Sequence, residues 1–209
     1  MLKPLSIRWL QRLLIALIFV EALALGSSLL QWDLLHSEVI TQEAAQANDA
    51  REKIIGFAFA GLYLVTGIVF LRWILVAHRT VRSLGAYDLS VSPGWAVGSF
   101  FIPILNWFRP YVAMKELWQA SLNPQSPKHQ PVPSLLPAWW TLWIVNMIFG
   151  QVIFRLSMKA KELDEFQFIT GVEIASSILG VLLSLVALTL VKRITANITA
   201  LSVPPPLTV

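Results

Sequence analysis

Four polar side chains lie inside or at the ends of long apolar runs, where they could carry chemistry. Glu21 stands near the middle of the first run, Asn146 lies inside the third, and Arg155 and Glu173 lie near the ends of the third and fourth. A charge at bilayer depth costs about 2.5–3.5 kcal/mol on insertion scales, so each acid should be protonated or paired. The matching depth of Glu21 and Asn146 favours a hydrogen bond between them, and Arg155 could neutralise Glu173.

These intramembrane residues have two interpretations. One is a proton or ion path through Glu21, Asn146 and Glu173, and the other is polar contact that holds helices together. The two acids lie at different depths, with no third acidic step and no glycine-broken spanning helix. Because a relay needs such features, the pattern favours helix packing and leaves a conduction path as the alternative.

A second group of candidates lies in residues 92–121, SPGWAVGSFFIPILNWFRPYVAMKELWQAS, which we call the kinked segment. Its opening Ser-Pro pair is typical of a helix start. The apolar run that follows has only eleven residues, too few to span a bilayer. Pro103 and Pro110 each remove a backbone donor and bend or end a helix. We expect a short helix dipping into the membrane, a kink at 106–110, and an amphipathic helix along the interface.

Basic, aromatic and amide side chains in and before the kinked segment could bind lipid headgroups or a partner protein. Arg72 and Arg79 are seven residues apart and share a helix face. Each base near an anionic lipid surface contributes about 1 kcal/mol, although such bases often serve topology alone. Arg109 could bind phosphate or carboxylate through two hydrogen bonds, or snorkel to the interface. The candidate set is Arg72, Arg79, Arg82, Asn106, Arg109, Tyr111, Lys115 and Trp118.

The elements that position these residues follow from composition. The chain has 209 residues, of which 13% are charged, against about 25% in soluble domains. Its apolar runs cover about 10–30, 54–76, 138–157 and 169–191, and roughly 20 residues cross a bilayer as a helix. The sequence predicts an all-α integral membrane protein, one membrane domain over 1–209. Four transmembrane helices are joined by a proline-kinked re-entrant or interfacial segment on the cytoplasmic side.

Charge asymmetry predicts the orientation. Eleven of the sixteen bases lie on the side shared by both termini and the kinked segment, which the positive-inside rule assigns to the cytoplasm. Eight of the nine tryptophans fall near that same side. The alternative, a kinked fifth span over 95–121, would bury Arg109 near mid-membrane and is disfavoured by the charge count.

Local signals predict how the helices end. Residues 31–53 contain no Pro or Gly, so the flanking helices should continue beyond the membrane there. Gly85 should cap the C-terminal end of the second long helix. The tail 202–209, which holds three consecutive prolines, should be extended and disordered.

Several function classes lack their signatures. The chain has no cysteine, and its three histidines lie far apart in sequence, so we expect no metal site. No nucleophile–base pair or phosphate-binding loop is evident. We therefore expect neither an enzyme, nor a cofactor, nor a nucleic-acid partner.

The central region resembles a family. The resemblance covers about 65–147 well and rests on Trp73, His78-Arg79, Ser92-Pro93-Gly94-Trp95, Pro103, Asn106, Arg109-Pro110-Tyr111, Glu116-Leu117-Trp118 and Trp139-Trp140. These motifs are similar to those of the bacterial membrane proteins called domain of unknown function 4328. The resemblance implies an integral bacterial membrane protein and supplies no catalytic residue. Together with the predicted orientation, we expect a multi-pass protein of the inner membrane with both termini cytoplasmic.

Two functions remain open. The first is a non-enzymatic module that binds anionic lipid headgroups, or a membrane protein partner, through the kinked segment. The second is a small oligomeric transporter or channel that uses Glu21, Asn146 and Glu173. Either one is compatible with a homo-oligomer.

Overall fold

The computed structural model describes residues 4–202, with side chains from residue 7 onward, and this part of the chain is helical without strands. The predicted tail 202–209 lies, beyond its first residue, outside the described residues. The six α-helices are α1 (Pro4–Leu35), α2 (Gln42–Ser83), α3 (Pro93–Gly98), α4 (Arg109–Leu122), α5 (Leu135–Ser157) and α6 (Leu163–Leu201). Three short 3-10 turns cover Ser99–Phe101, Leu105–Trp107 and Pro127–His129.

Within the described residues, four helices are long and apolar enough to cross a membrane, namely α1, α2, α5 and α6. They contain the four predicted spans and confirm their number, and they indicate a multi-pass membrane protein. The prediction that helices continue through 31–53 is confirmed, because only 36–41 separate α1 from α2. These polar ends still form helix because they are rich in Ala, Gln and Glu.

The C-terminal end of α2 is closed by the predicted glycine. Gly85 has a φ of 105°. Glycine adopts this positive φ with little strain because it has no Cβ. Its N–H donates to the carbonyl of Arg82 at 3.0 Å, and the N–H of Ala86 donates to that of Val81 at 3.1 Å. This pair of bonds is the Schellman motif, with Val81 and Ala86 both fully buried beside it.

The chain divides into two compact units. The kinked-segment unit contains, of the described residues, 4–12, 66–140 and 186–202, and the cavity unit contains 13–65 and 141–185. The predicted single domain over 1–209 stays a prediction.

The kinked-segment unit packs α4 against the C-terminal part of α2. Ile74 and Met114 are fully buried, and His78, also fully buried, makes a 3.1 Å hydrogen bond through Nε2 to the carbonyl of Ala113. The Trp73 indole N–H donates to Thr195 Oγ1 at 3.2 Å. These bonds join three helices around one apolar core.

The cavity unit is held by polar contacts near the loop 36–41. Gln31 donates to Thr170 Oγ1 at 2.7 Å and accepts from Asn48 at 3.0 Å. Gln167 donates to the carbonyl of Leu35 at 2.8 Å. These bonds tie α1, α2 and α6 together where each helix extends past its apolar run.

The kinked segment has the predicted start but a longer irregular stretch. Ser92 Oγ accepts the backbone N–H of Trp95 at 3.4 Å, as expected for an N-cap. Helix α3 then ends at Gly98, and 99–108 form two 3-10 turns before α4 begins. The prediction that Pro110 bends or ends a helix is wrong: it lies in the first turn of α4, where its missing N–H costs nothing.

Candidate functional site

The cavity unit contains a cavity of about 440 Å³, lined by α1, α2, α5 and α6. Glu21, Asn146 and Glu173, the three residues of the predicted polar path, all line it. From Glu52 to Tyr63 its lining extends along twelve residues of α2, or about 16 Å at the rise of an α-helix. The structure therefore brings together side chains that are up to 162 positions apart in sequence.

Glu21 is the most buried acid of this cavity. The residue is only 6% exposed, and no hydrogen bond or ion pair holds its carboxylate within the described residues. Its carboxyl group lies directly over Gly180, where an added Cβ would overlap Oε1 of Glu21. The carboxylate fits against α6 only because residue 180 has no side chain.

The predicted hydrogen bond between Glu21 and Asn146 does not form among the described residues. Asn146 Oδ1 accepts instead from Ser176 Oγ at 3.0 Å, a bond between α5 and α6. Arg155 is exposed and, within the described residues, makes no ion pair with Glu173. The predicted neutralisation of Glu173 by Arg155 is therefore wrong, because that arginine does not line the cavity.

A third acid, Glu52, joins the cavity and was missed by sequence reasoning. It lies within 31–53, which the sequence predicts only as helix beyond the apolar run that begins near residue 54. Its position could have been found from helical spacing, because Glu52, Gly56, Phe59 and Tyr63 recur at intervals of four, three and four and share one face of α2. The same face supplies two aromatic rings to the cavity wall.

Glu52 differs from the other two acids in having partners. Ser27 Oγ donates to its Oε1 at 2.6 Å, and Arg51 NH2 lies 3.7 Å from the same atom. Arg51 also donates to Ser27 Oγ at 2.8 Å and to the Ser27 carbonyl at 3.3 Å. The positive charge of Arg51 is thus already engaged by Glu52 and Ser27.

The kinked segment presents the second candidate surface. Its irregular stretch exposes large apolar side chains, with Phe101 72%, Ile104 77% and Phe108 68% exposed. Trp95 and Trp107 are also exposed. Single exposed apolar residues need no explanation, but six within fourteen positions, Ile102 included, do.

The predicted basic set divides into free and committed side chains. Arg72, Arg79 and Arg109 are exposed, and Lys115 is half-buried. Arg82, however, donates through NH2 to the carbonyls of Leu89 and Val91, both at 3.1 Å. Arg82 therefore stabilises the loop before the kinked segment, and its role in binding headgroups stays a prediction.

The aromatic and amide members of that set also turn inward. Trp118 is 7% exposed and donates its indole N–H to the Pro131 carbonyl at 3.2 Å, and its role in binding a ligand stays a prediction. Tyr111 is half-buried with its ring 6.5 Å from that of Trp140. Asn106 Oδ1 is buried and has no hydrogen-bond partner among the described residues.

Comparison with known proteins adds one finding. A search of curated proteins and a search of solved structures gave no match. The family model described as a domain of unknown function (DUF4328) matches residues 36–196, about three quarters of the chain. That range contains the kinked segment and all of the cavity lining except the part on α1. The chain belongs to the DUF4328 family.

Proposed function

We propose that the protein is a non-enzymatic membrane protein whose kinked segment binds anionic lipid at the cytoplasmic surface of a bacterial inner membrane, with both termini cytoplasmic. The observation that carries this proposal is the exposed apolar run over 95–108 directly before the exposed Arg109. An apolar surface followed by a base matches the boundary between acyl chains and phosphate.

The geometry favours the interface over the bilayer centre. Residues 99–108 form 3-10 turns and irregular chain rather than α-helix, so several backbone polar groups need water. Irregular backbone exposed to lipid is not found in the hydrocarbon layer, whereas headgroup depth supplies water. Trp95 and Trp107 are exposed here, and indole rings favour that depth.

Three exposed arginines provide the charge. Arg72 and Arg79 lie on one face of α2, and Arg109 begins α4. The distribution of bases that predicts a cytoplasmic location for this side also places these arginines near the more anionic leaflet. A protein partner is the competing occupant of the same surface.

Depth measurement on the cysteine-free chain tests the placement of the segment. A spin label on Ile104→Cys should be accessible to oxygen, and shielded from a polar nickel reagent, in bilayers. A label on Tyr87→Cys, which is 80% exposed in the loop after α2, should show the reverse. Equal exposure of both labels to the nickel reagent would contradict membrane contact and favour a protein partner.

Lipid retention tests the chemistry. The full chain purified in mild detergent should carry anionic phospholipid, and Arg109→Gln should reduce the amount. Arg155→Gln removes an equally exposed base outside the proposed surface and should leave the lipid content unchanged. Equal lipid content in wild type and Arg109→Gln would count against the proposal. If a protein copurifies with the wild type and is lost in Arg109→Gln, the surface binds a protein partner and not lipid.

Transport is a second candidate, and the cavity favours it. Glu21, Asn146 and Glu173 line one space between four apolar helices of a single chain. Flux across liposomes that contain the purified protein, compared with Glu21→Gln, tests this candidate. Absence of flux under proton, ion and solute gradients would eliminate it.

A further inference from the structure

We propose that the cavity of the cavity unit binds a small organic cation, with Glu21 as its principal counter-charge. The proposal deepens the transport candidate, on which it partly rests, by naming the class of solute. It is independent of lipid binding by the kinked segment. The proposal concerns binding in the cavity and not transport. A protein that binds such a cation without carrying the cation across the membrane would still fit the proposal.

The buried acid is the first step of the argument. A carboxyl group taken out of water is costly unless it is neutral or has a partner. Glu21 is only 6% exposed, and its carboxyl group has no hydrogen-bond or ion-pair partner among the described residues. A bound cation would supply the missing partner.

The charge of the lining gives the sign of the ligand. Among the residues that the structure describes, the side chains around the cavity include Glu21, Glu52 and Glu173 and no Lys, Arg or His. Arg51 and Ser27 hold Glu52, and within the described residues no base pairs with Glu173. Two acids thus remain without a counter-charge, which favours a cation over an anion or a neutral solute.

The remaining lining favours an organic cation over a metal ion. No three His, Asp or Glu side chains in the described residues lie close enough to share a metal. The cavity wall includes the rings of Phe59, Tyr63 and Trp143, and aromatic faces attract ammonium-type cations. Its volume of about 440 Å³ falls in the range of small-molecule pockets.

Gly180 sets the position of the counter-charge. Because a Cβ at 180 would overlap Oε1 of Glu21, Gly180→Ala should turn the carboxylate away from its place while leaving every charge in the chain unchanged. Gly180 is therefore a positioning residue for the proposed site.

Equilibrium binding tests the proposal. The full chain in nanodiscs of uncharged lipid is titrated with tritiated tetraphenylphosphonium, and separately with the smaller benzyltrimethylammonium by calorimetry. We expect saturable binding that weakens at least about tenfold in Glu21→Gln, as expected for loss of a buried charge partner. Glu21→Asp should bind within a few-fold of wild type, and Gly180→Ala should bind more weakly. Glu38→Gln removes an exposed acid outside the cavity and should have no effect.

Competition separates the chemical classes. The neutral triphenylphosphine oxide and millimolar Na⁺ or K⁺ should fail to displace the bound phosphonium. If the neutral compound displaces the phosphonium and Glu21→Gln binds the phosphonium as well as wild type does, the ligand need not be a cation. That result would overturn the proposal and indicate a cavity for a neutral solute. Displacement by Na⁺ or K⁺ would make it an inorganic cation site, and no saturable binding of either probe would overturn the proposal.

A measurement on the wild-type chain tests the proposal even if a variant fails to fold. Carbodiimide modifies buried carboxyl groups, and mass spectrometry locates the product. Tetraphenylphosphonium should protect Glu21 from modification and leave Glu38 unprotected. Modification of Glu21 at the same rate with and without the phosphonium would overturn the assignment.

Discussion

Arg82 and Glu116 bind the two backbone polar groups of one residue, Val91. Arg82 NH2 donates to the Val91 carbonyl at 3.1 Å, and Glu116 Oε2 accepts the Val91 N–H at 3.0 Å. Glu116 Oε1 also accepts the N–H of Ser90 at 2.9 Å. Because Val91 is fully buried, these charged groups satisfy backbone atoms that water cannot reach. The two residues thereby fix the chain immediately before the kinked segment.

Removing this support should destabilise the kinked-segment unit. Glu116→Ala deletes charge-assisted hydrogen bonds to two backbone donors and should cost about 2–3 kcal/mol in the free energy of unfolding. The measurement is denaturant unfolding in mixed micelles. Lys128→Ala serves as the control, since it breaks only the exposed ion pair with Asp88 and should cost less than about 1 kcal/mol. Equal losses in the two variants would contradict the role of Glu116.

The arginines should separate by function. Arg72→Gln, Arg79→Gln and Arg109→Gln should each weaken binding to anionic vesicles about five-fold, the equivalent of about 1 kcal/mol per base, and should leave unfolding unchanged. Arg82→Gln should do the opposite, because its guanidinium already binds two carbonyls. Vesicle sedimentation and micelle unfolding on the same four proteins measure both effects. An Arg82→Gln variant of normal stability would overturn this division.

The bond between Trp73 and Thr195 should appear as a coupling energy. Trp73→Phe and Thr195→Val each remove one partner of the 3.2 Å hydrogen bond and keep most of the apolar volume. Because the same bond is lost in both, the double variant should be less destabilised than the sum of the singles by about 1 kcal/mol. A double-mutant cycle on unfolding free energies measures this difference, and strict additivity would show that the bond contributes nothing.

Gly180 and Glu21 should also be coupled. Ala is favoured over Gly in a helix by about 1 kcal/mol, but in the wild type that gain should be offset by displacement of the Glu21 carboxyl. Gly180→Ala should therefore be about 1 kcal/mol more favourable in a Glu21→Ala background than in the wild type. Thermal unfolding of the four proteins tests this, and the same effect in both backgrounds would contradict the contact between these residues.

The sequence was sufficient for features that depend on neighbouring residues along the chain. Apolar length predicted four helices, because a membrane span needs a set number of residues. The absence of Pro and Gly predicted helix through 31–53, and Gly85 and Ser92 marked a helix end and a helix start. Each of these signals acts within a few residues and needs no knowledge of packing.

Tertiary structure alone decided which polar groups form hydrogen bonds with one another. The sequence placed Glu21 beside Asn146 by depth, but depth says nothing of rotation about a helix axis, and Asn146 binds Ser176 instead. Arg82 resembled the exposed Arg79 in sequence, yet the return of the chain after Gly85 put two carbonyls within its reach. Glu52 entered the cavity because helices α1, α5 and α6 surround its face of α2. Helix spacing predicts which residues share a face, and only packing between distant segments determines what each face contacts.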